Sequence, residues 1–424
     1  MPHGTPFEPP WAALFPETLG ADPTPCGSPR FRGGRGAALE RLAAIDPPRY
    51  ATTRNHVDGA VTALSPWIRH GVLSATEVRD AALARSPSRE AATTLVRELA
   101  WRDYWHRVEE VLGDRIAADV EPPAARARKP GSAALPADVA AAATGNACVD
   151  AFVRRLLDEG WLHNHERMWL ASWLVHVRGV EWRTGADWFL SHLLDGDPAS
   201  NHLSWQWVAG TFSAKPYLFN RENLETFTAG RHCRTCALLG HCDVEGSYET
   251  LTARLFEPTA PPRPPLRIAP APAWCPTTTT PHRPLVWVTL DALAATAPAT
   301  SRYPNAPRVF VVDPAWIAAE RPSRMRIGFL IECLADIAGV EVRRGDPTIV
   351  LPEEAAARGC DGIALAATSS PRVRRAAERI AAAMPVEVVA WPPLVDGTAV
   401  RDLGRFSRYW ERVSRSALAS TPVL

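Results

Sequence analysis

One change of pattern, at residues 257–284, constrains this chain more than any other feature. That segment is dense in proline and carries no periodic apolar face, so it reads as a stiff linker. Upstream, apolar residues recur at three and four spacing over 91–111, 149–157, 162–177 and 185–194, which predicts amphipathic helices. Downstream come short apolar runs at 285–290, 309–312, 340–343, 362–366 and 386–390, separated by helical stretches such as 324–338 and 371–384. Strands alternating with helices predict a small doubly wound parallel sheet. The expected fold is multidomain, α and α/β. An extended proline-rich segment (1–27) leads into an all-helical domain with a cysteine cluster (28–256), starting near Phe31. The linker follows, then an α/β domain (285–424) closed by an amphipathic helix at 401–418, with Phe406, Tyr409 and Trp410 as packing residues.

A net charge of +1 excludes a generally cationic nucleic-acid binder, so any contact with DNA has to come from a local patch. Among the 47 basic residues only Lys129 and Lys215 are lysines, and arginine is the better bidentate partner for phosphate and carboxylate. The first residues lack a basic region followed by an apolar run, and no stretch reaches about 18 uninterrupted apolar residues. The reading is a cytoplasmic, soluble chain. Eight cysteines are too few for a disulfide scaffold, yet Cys233, Cys236 and Cys242 crowd together, which in a reducing compartment suggests metal. Cys26, Cys275, Cys333 and Cys360 are scattered and read as core or surface thiols.

Three stretches carry chemistry. Asp195 and Asp197, then Asn201, then Trp205-Gln206-Trp207 make an expensive set of side chains for a mere core helix, and suggest a cofactor site. Thr62 and Ser65, near a helix start, suit either an anion or simple N-capping. Glu98, Trp101, Arg102 and Trp105 fall on adjacent turns of one helix, suited either to a pocket for flat rings or to plain packing. With ten tryptophans between Trp67 and Trp207, core packing explains most of them.

These stretches, joined by Phe31-x-Gly33-Gly34, Arg54-Asn55, the run Gly160 to Met168 and Glu181-Trp182-Arg183, resemble in order and spacing the photolyase and cryptochrome flavoproteins. The resemblance covers roughly 28–228 and implies a U-shaped FAD in a helical pocket. Tyr50, Thr62, Leu64 and Ser65 match positions around its ribityl and phosphate groups, with Val61 standing where the family has a first hydroxyl. Arg102, Trp161, Asn164 and Arg167 match the pocket wall, and Arg167 is expected to pair with Asp195. Asp195 and Asp197 match the carboxylates at the flavin ring and adenosine side, and Asn201 the residue facing flavin N5.

The same resemblance implies light-driven electron transfer to a pyrimidine dimer flipped from DNA, with a cryptochrome-like blue-light receptor as the alternative. Glu98, Trp101 and Met168 match dimer-binding positions. Asn164 leans toward the cyclobutane dimer, while His165 stands where dimer enzymes usually carry arginine. Trp205 matches the flavin-proximal electron donor and Trp182 the middle one. The third position is Val139, so the chain is broken or rerouted through Trp188 or Trp173. Cys148 with Cys233, Cys236 and Cys242 resembles the ligand set of iron–sulfur bacterial photolyases and implies a [4Fe–4S] cluster; zinc, with His232 or His241, is the alternative. In the second domain the runs 309–314, 326–336, 342–347 and 370–372 resemble the photolyase antenna domain, which normally comes first, so the order implies a circular permutation with an antenna chromophore left open. The four arginines at 372–379 are read as a solvated face. The expected partner is DNA containing pyrimidine dimers, with no membrane and a monomeric chain.

Overall fold

A computed structural model describes residues 10–20, 27–129, 131–258, 263–264, 266–272, 274–276 and 279–419. The chain divides into two compact units, one of Met1–Ala43, Ala63–Val78 and Pro272–Pro393, the other of Ala44–Thr62, Arg79–Ala271 and Leu394–Leu424.

The first unit is built on a sheet. β1 (Pro284–Val288), β2 (Arg308–Val312), β3 (Val340–Arg344), β4 (Gly362–Ala366) and β5 (Val386–Val389) lie in the order β3-β2-β1-β4-β5, every pair parallel. Trp287 stands opposite Val309 on one side and Leu365 on the other. β1 and β4 are buried along their whole length because helices cover both faces, which is why they read as continuous apolar runs rather than alternating ones. The edge strands β3 and β5 are partly open and carry Glu341 and Glu387. Helices Pro314–Glu320 and Pro347–Ala357 start on Asp313 and Asp346, whose carboxylates accept backbone N–H bonds, with proline at the first helical position. Phe31 and Gly33 also belong to this unit. Phe31 packs edge-on against Trp67 at 5.7 Å, and a Cβ on Gly33 would stand 2.8 Å from the Cys333 nitrogen, so only glycine lets that segment lie against helix Arg324–Ala335.

The second unit is helical. It contains α1 (Pro47–Thr53), α2 (Arg89–Leu112), α3 (Ala147–Glu159), α4 (Asn164–Ser172), α5 (Trp182–His192), α6 (Pro198–Ala209), α7 (Arg221–Thr228) and, far along the chain, α8 (Phe406–Ala417). Its core gathers Phe152, Trp169, Leu174, Phe189, Leu193 and Trp205. α4 runs on into a π-helical turn, Trp173–Val177, so the expected helix over 162–177 exists but changes pitch. α8 buries Phe406, Tyr409, Val413 and Ala417 on one stripe against α2, with the Tyr104 hydroxyl donating to the Leu403 carbonyl at 2.8 Å and Tyr409 donating to Asp103.

The fold class is the expected one, while the boundaries differ in three places. The closing helix α8 sits in the helical unit rather than with the sheet. Residues 28–43 and 63–78 cluster with the sheet rather than with the helices. Within the expected extended lead-in, Trp11–Leu14 and Pro16–Leu19 form short helical turns, the second begun by Pro16, whose missing N–H costs nothing at a helix start; residues 1–9 and 21–26 of that segment, Cys26 among them, lie outside the described residues. The described residues between 263 and 283 contain no helix or strand.

Candidate functional site

The site grows from the start of α6. Asp197 is its N-cap, accepting from the Ser200 amide at 3.3 Å and the Ser200 hydroxyl at 2.6 Å, and its carboxylate also meets His106 Nε2 of α2 at 2.8 Å. Two residues earlier, Asp195 is gripped by both terminal nitrogens of Arg167 at 3.1 and 2.8 Å, the expected pair, and Arg167 Nε donates to the Leu162 carbonyl at 3.0 Å. Each buried carboxylate thus has its own partner, a guanidinium for one and an imidazole for the other. Asn201, one turn into α6, donates to the Ala186 carbonyl at 2.8 Å.

Trp205 follows on α6, 3% exposed, edge-on to Phe189 at 4.9 Å, with its six-membered ring close against Gly185. Phe189 in turn touches half-buried Trp188 at 5.7 Å. Trp182 donates its indole N–H to Asp119 at 2.7 Å and packs edge-on against His202. Val139 is fully buried and aliphatic. Trp173 faces the Arg178 guanidinium at 5.1 Å.

α2 and α4 bring the remaining residues in. Arg54, at the end of α1, ion-pairs with Glu98, and its carbonyl lies 3.0 Å from His163 Nε2, which caps α4. Burial holds the Glu98 carboxyl above its ordinary range against the pull of Arg54. Asn164 is exposed and donates to the Met168 sulfur at 3.4 Å. His165 packs against Trp169 and Phe227 with its Nδ1 buried and unpartnered. Trp101 lies face to face with Phe406 of α8, ring centroids 3.7 Å apart and planes 11° from parallel. Tyr50 and Trp161 are buried in this unit, Arg102 is half-buried, and Thr62 ends one of its segments. Leu64 and Ser65 fall in the sheet unit, Leu64 capping the helix that Ser65 begins.

Four partners were not expected from the sequence: His106 for Asp197, Arg54 for Glu98, Asp119 for Trp182 and Phe406 for Trp101. Only His106 left a signal, one turn beyond Arg102 on the same helix.

Burial pushes His163 and His165 down to about 4, and does the same to His176, whose ring meets the Val208 carbonyl at 3.1 Å. All three are therefore neutral at pH 7, so His165 does not replace the positive charge of an arginine. The unfolded chain takes up these protons near pH 6.5 and the folded chain only near 4, so stability is expected to fall as the pH drops through that window. For His176 the loss is about 3 kcal/mol. Urea midpoints measured from pH 7 to pH 4.5 check this, and a flat profile would refute it.

Cys148 sits at the start of α3, and Cys233, Cys236 and Cys242 in the loop after α7; all four line one pocket, with Asn146, Arg221 and His232. Burial pushes the Cys233 thiol up to about 11 and Cys148 further, with the neighbouring thiols adding to the rise. Cys148 donates to Asn146 Oδ1 at 3.0 Å, and His232 Nε2 is buried without a partner. The loop is closed by Arg221, whose amide donates to the Val244 carbonyl and whose guanidinium grips Glu245, and by Asn220, which donates to the Gly246 carbonyl. Among the described residues no group of three or more His, Cys, Asp or Glu is already drawn to metal-holding distances. Elsewhere, Cys275 is exposed, Cys360 half-buried and Cys333 a core thiol. No described helix is long and apolar enough to cross a membrane.

Residues 95–248 match the family described as the FAD binding domain of DNA photolyase. The chain is 37% identical over 217 residues to a deoxyribodipyrimidine photo-lyase of Streptomyces griseus, covering 48% of this chain and 46% of that one. It is 33% identical over 190 residues to a chloroplastic/mitochondrial cryptochrome DASH of Oryza sativa subsp. japonica, covering 42% and 33%. The solved class III photolyase of Agrobacterium tumefaciens is 27% identical, with a TM-score of 0.40 over 48% of this chain and 44% of that one. The chain spans about half the length of the curated relatives it matches, or less.

Proposed function

We propose that this chain, whose helical unit carries a photolyase-type FAD-binding stretch, is a light-dependent lyase that splits pyrimidine dimers in DNA. The observation that carries the reading is the start of α6, where Asp195 in the turn before the helix, Asp197 at its N-cap and Asn201 one turn in all fall inside the matched residues. That donor set suits FAD: buried carboxylates accept from ring and amino N–H groups, and an amide side chain can serve either edge of a flavin. Reduced FAD, when bound and excited, supplies the electron that splits the dimer and receives it back.

The rest of the chemistry falls to the chain. Arg167 grips and orients Asp195. His106 fixes Asp197 from α2. Asn201 is read as the partner of flavin N5, with Tyr50, Thr62, Arg102 and Trp161 around the remainder of the cofactor. Glu98 offers a carboxyl to a flipped base, beside Trp101, Asn164 and Met168, and Asn164 favours the cyclobutane dimer over the photoproduct with a 6-4 bond. Trp205 and Trp182 keep their roles as inner electron donors, and the ring series Trp205, Phe189, Trp188 supports an exit through Trp188 in place of Val139. The 3-2-1-4-5 sheet placed after the helical domain supports a circular permutation.

Blue-light treatment of oligonucleotides bearing one cyclobutane thymine dimer, with purified and reduced protein, tests the reading. Restoration of the thymines is expected, and FAD-loaded protein that repairs neither single- nor double-stranded DNA would overturn it. The rival is a cryptochrome-like blue-light receptor, favoured by the ring of Phe406 over Trp101.

Four thiols lining one pocket fit a [4Fe–4S] cluster, which would add a redox-capable or purely structural centre held by Cys148, Cys233, Cys236 and Cys242. Cys236→Ala is expected to abolish iron-type visible absorbance and the EPR signal of the reduced protein. Loss of bound zinc instead would replace the cluster with the zinc alternative.

A further inference from the structure

One face of half-buried Trp101 is covered. Phe406 is stacked on it at 3.7 Å and 11°, Trp105 leans against it at 5.0 Å and 36°, and Tyr104 meets it edge-on at 5.8 Å. A base inserted between Trp101 and Phe406 would need the two rings about 7 Å apart, twice the spacing of stacked bases in a duplex. The present stack therefore excludes any nucleobase from that face.

The way α8 is held shows which part could give. From Tyr409 onward the helix is fixed: Tyr409, Val413 and Ala417 are fully buried, and Tyr409 is bonded to Asp103. Just before the helix, Leu403 is tied to the Tyr104 hydroxyl and Arg405 to Glu121 at 2.9 Å. Phe406 lies between these anchors as the first helical residue, and its N-cap, Arg405, supplies no side-chain bond to the free amides of that turn. The next two residues, Ser407 and Arg408, are exposed. Exposed Arg97 holds its guanidinium 5.7 Å from the Phe406 ring.

We propose that Phe406 is a built-in stand-in for a flipped pyrimidine on Trp101, displaced by local rearrangement of the first turn of α8 when a lesion enters. This rests on the DNA-repair reading above. Phe406 is then a specificity-determining residue: only a nucleotide that gains more from Trp101 and Glu98 than the Phe406 stack provides can take its place. A dimer, already unstacked in its duplex, meets that requirement more easily than an intact thymine.

The test uses the full chain as wild type, Phe406→Leu and Phe406→Ala. Dark binding is read by fluorescence anisotropy with a labelled oligothymidylate carrying one cyclobutane dimer, and with the same strand undamaged; thermal midpoints are recorded in parallel. Affinity for the damaged strand is expected to rise from wild type through Leu to Ala, by about threefold to tenfold overall, while the midpoint falls in the same order. The gain should vanish when Trp101→Ala is added to Phe406→Ala. A residue that only packs gives the opposite trend, with affinity falling along with the midpoint, and that result overturns the proposal. Repair by wild type without tighter binding by Phe406→Ala removes the stand-in and leaves the enzyme. Absence of both repair and lesion binding in all three proteins removes the enzyme and the stand-in with it.

Discussion

Gly185→Ala is expected to destabilise the helical unit by about 3 kcal/mol, at the upper end of what one inserted methyl does in a packed core. A Cβ at Gly185 would overlap the six-membered ring of Trp205, with even Cζ2 only 3.1 Å away. Trp205 cannot retreat, because it is 3% exposed and Phe189 stands edge-on behind it. The sign is diagnostic: in an open helix the same change stabilises by about 1 kcal/mol. Urea unfolding gives the magnitude, and the flavin retained through purification reports whether α5 and α6 still hold the start of the site. An unchanged or raised midpoint would show that the Trp205 ring is not seated on Gly185.

Arg167→Ala is expected to lose still more, about 3–5 kcal/mol, since it strands a buried carboxylate. The Asp195 side chain is 5% exposed and Arg167 provides two of its hydrogen bonds, while the same guanidinium ties down the Leu162 carbonyl. Arg167→Lys should fall between, because an ammonium has the charge but not the planar fork. Combining Arg167→Ala with Asp195→Asn should recover part of the loss, as the orphaned charge is then gone. If the double variant loses the sum of the two single losses, the pair is not coupled and the expectation fails. Thermal midpoints of the four proteins decide.

The sheet was readable because its signal is local. The central strands β1, β2 and β4 are short, largely apolar runs closed by turn residues, and Asp313-Pro314 and Asp346-Pro347 mark helix starts by capping chemistry alone. The Arg167–Asp195 pair was readable only through family resemblance, since nothing in periodicity relates residues 28 apart. The placement of α8 was not readable at all. Its stripe of Phe406, Tyr409, Val413 and Ala417 shows that one face is buried, yet an amphipathic pattern names no partner, and sequence proximity favoured the sheet over α2. For the same reason the covering of Trp101 went unseen, because that ring contact joins residues some 300 positions apart.

The loop that carries Cys233, Cys236 and Cys242 is fastened at both ends by Asn220 and Arg221. Bringing those ends together costs entropy that these polar clasps help to meet during folding. The spacing of the three thiols is thus set in part by side chains that carry no sulfur, so a substitution at Asn220 or Arg221 should disturb the pocket without touching a cysteine.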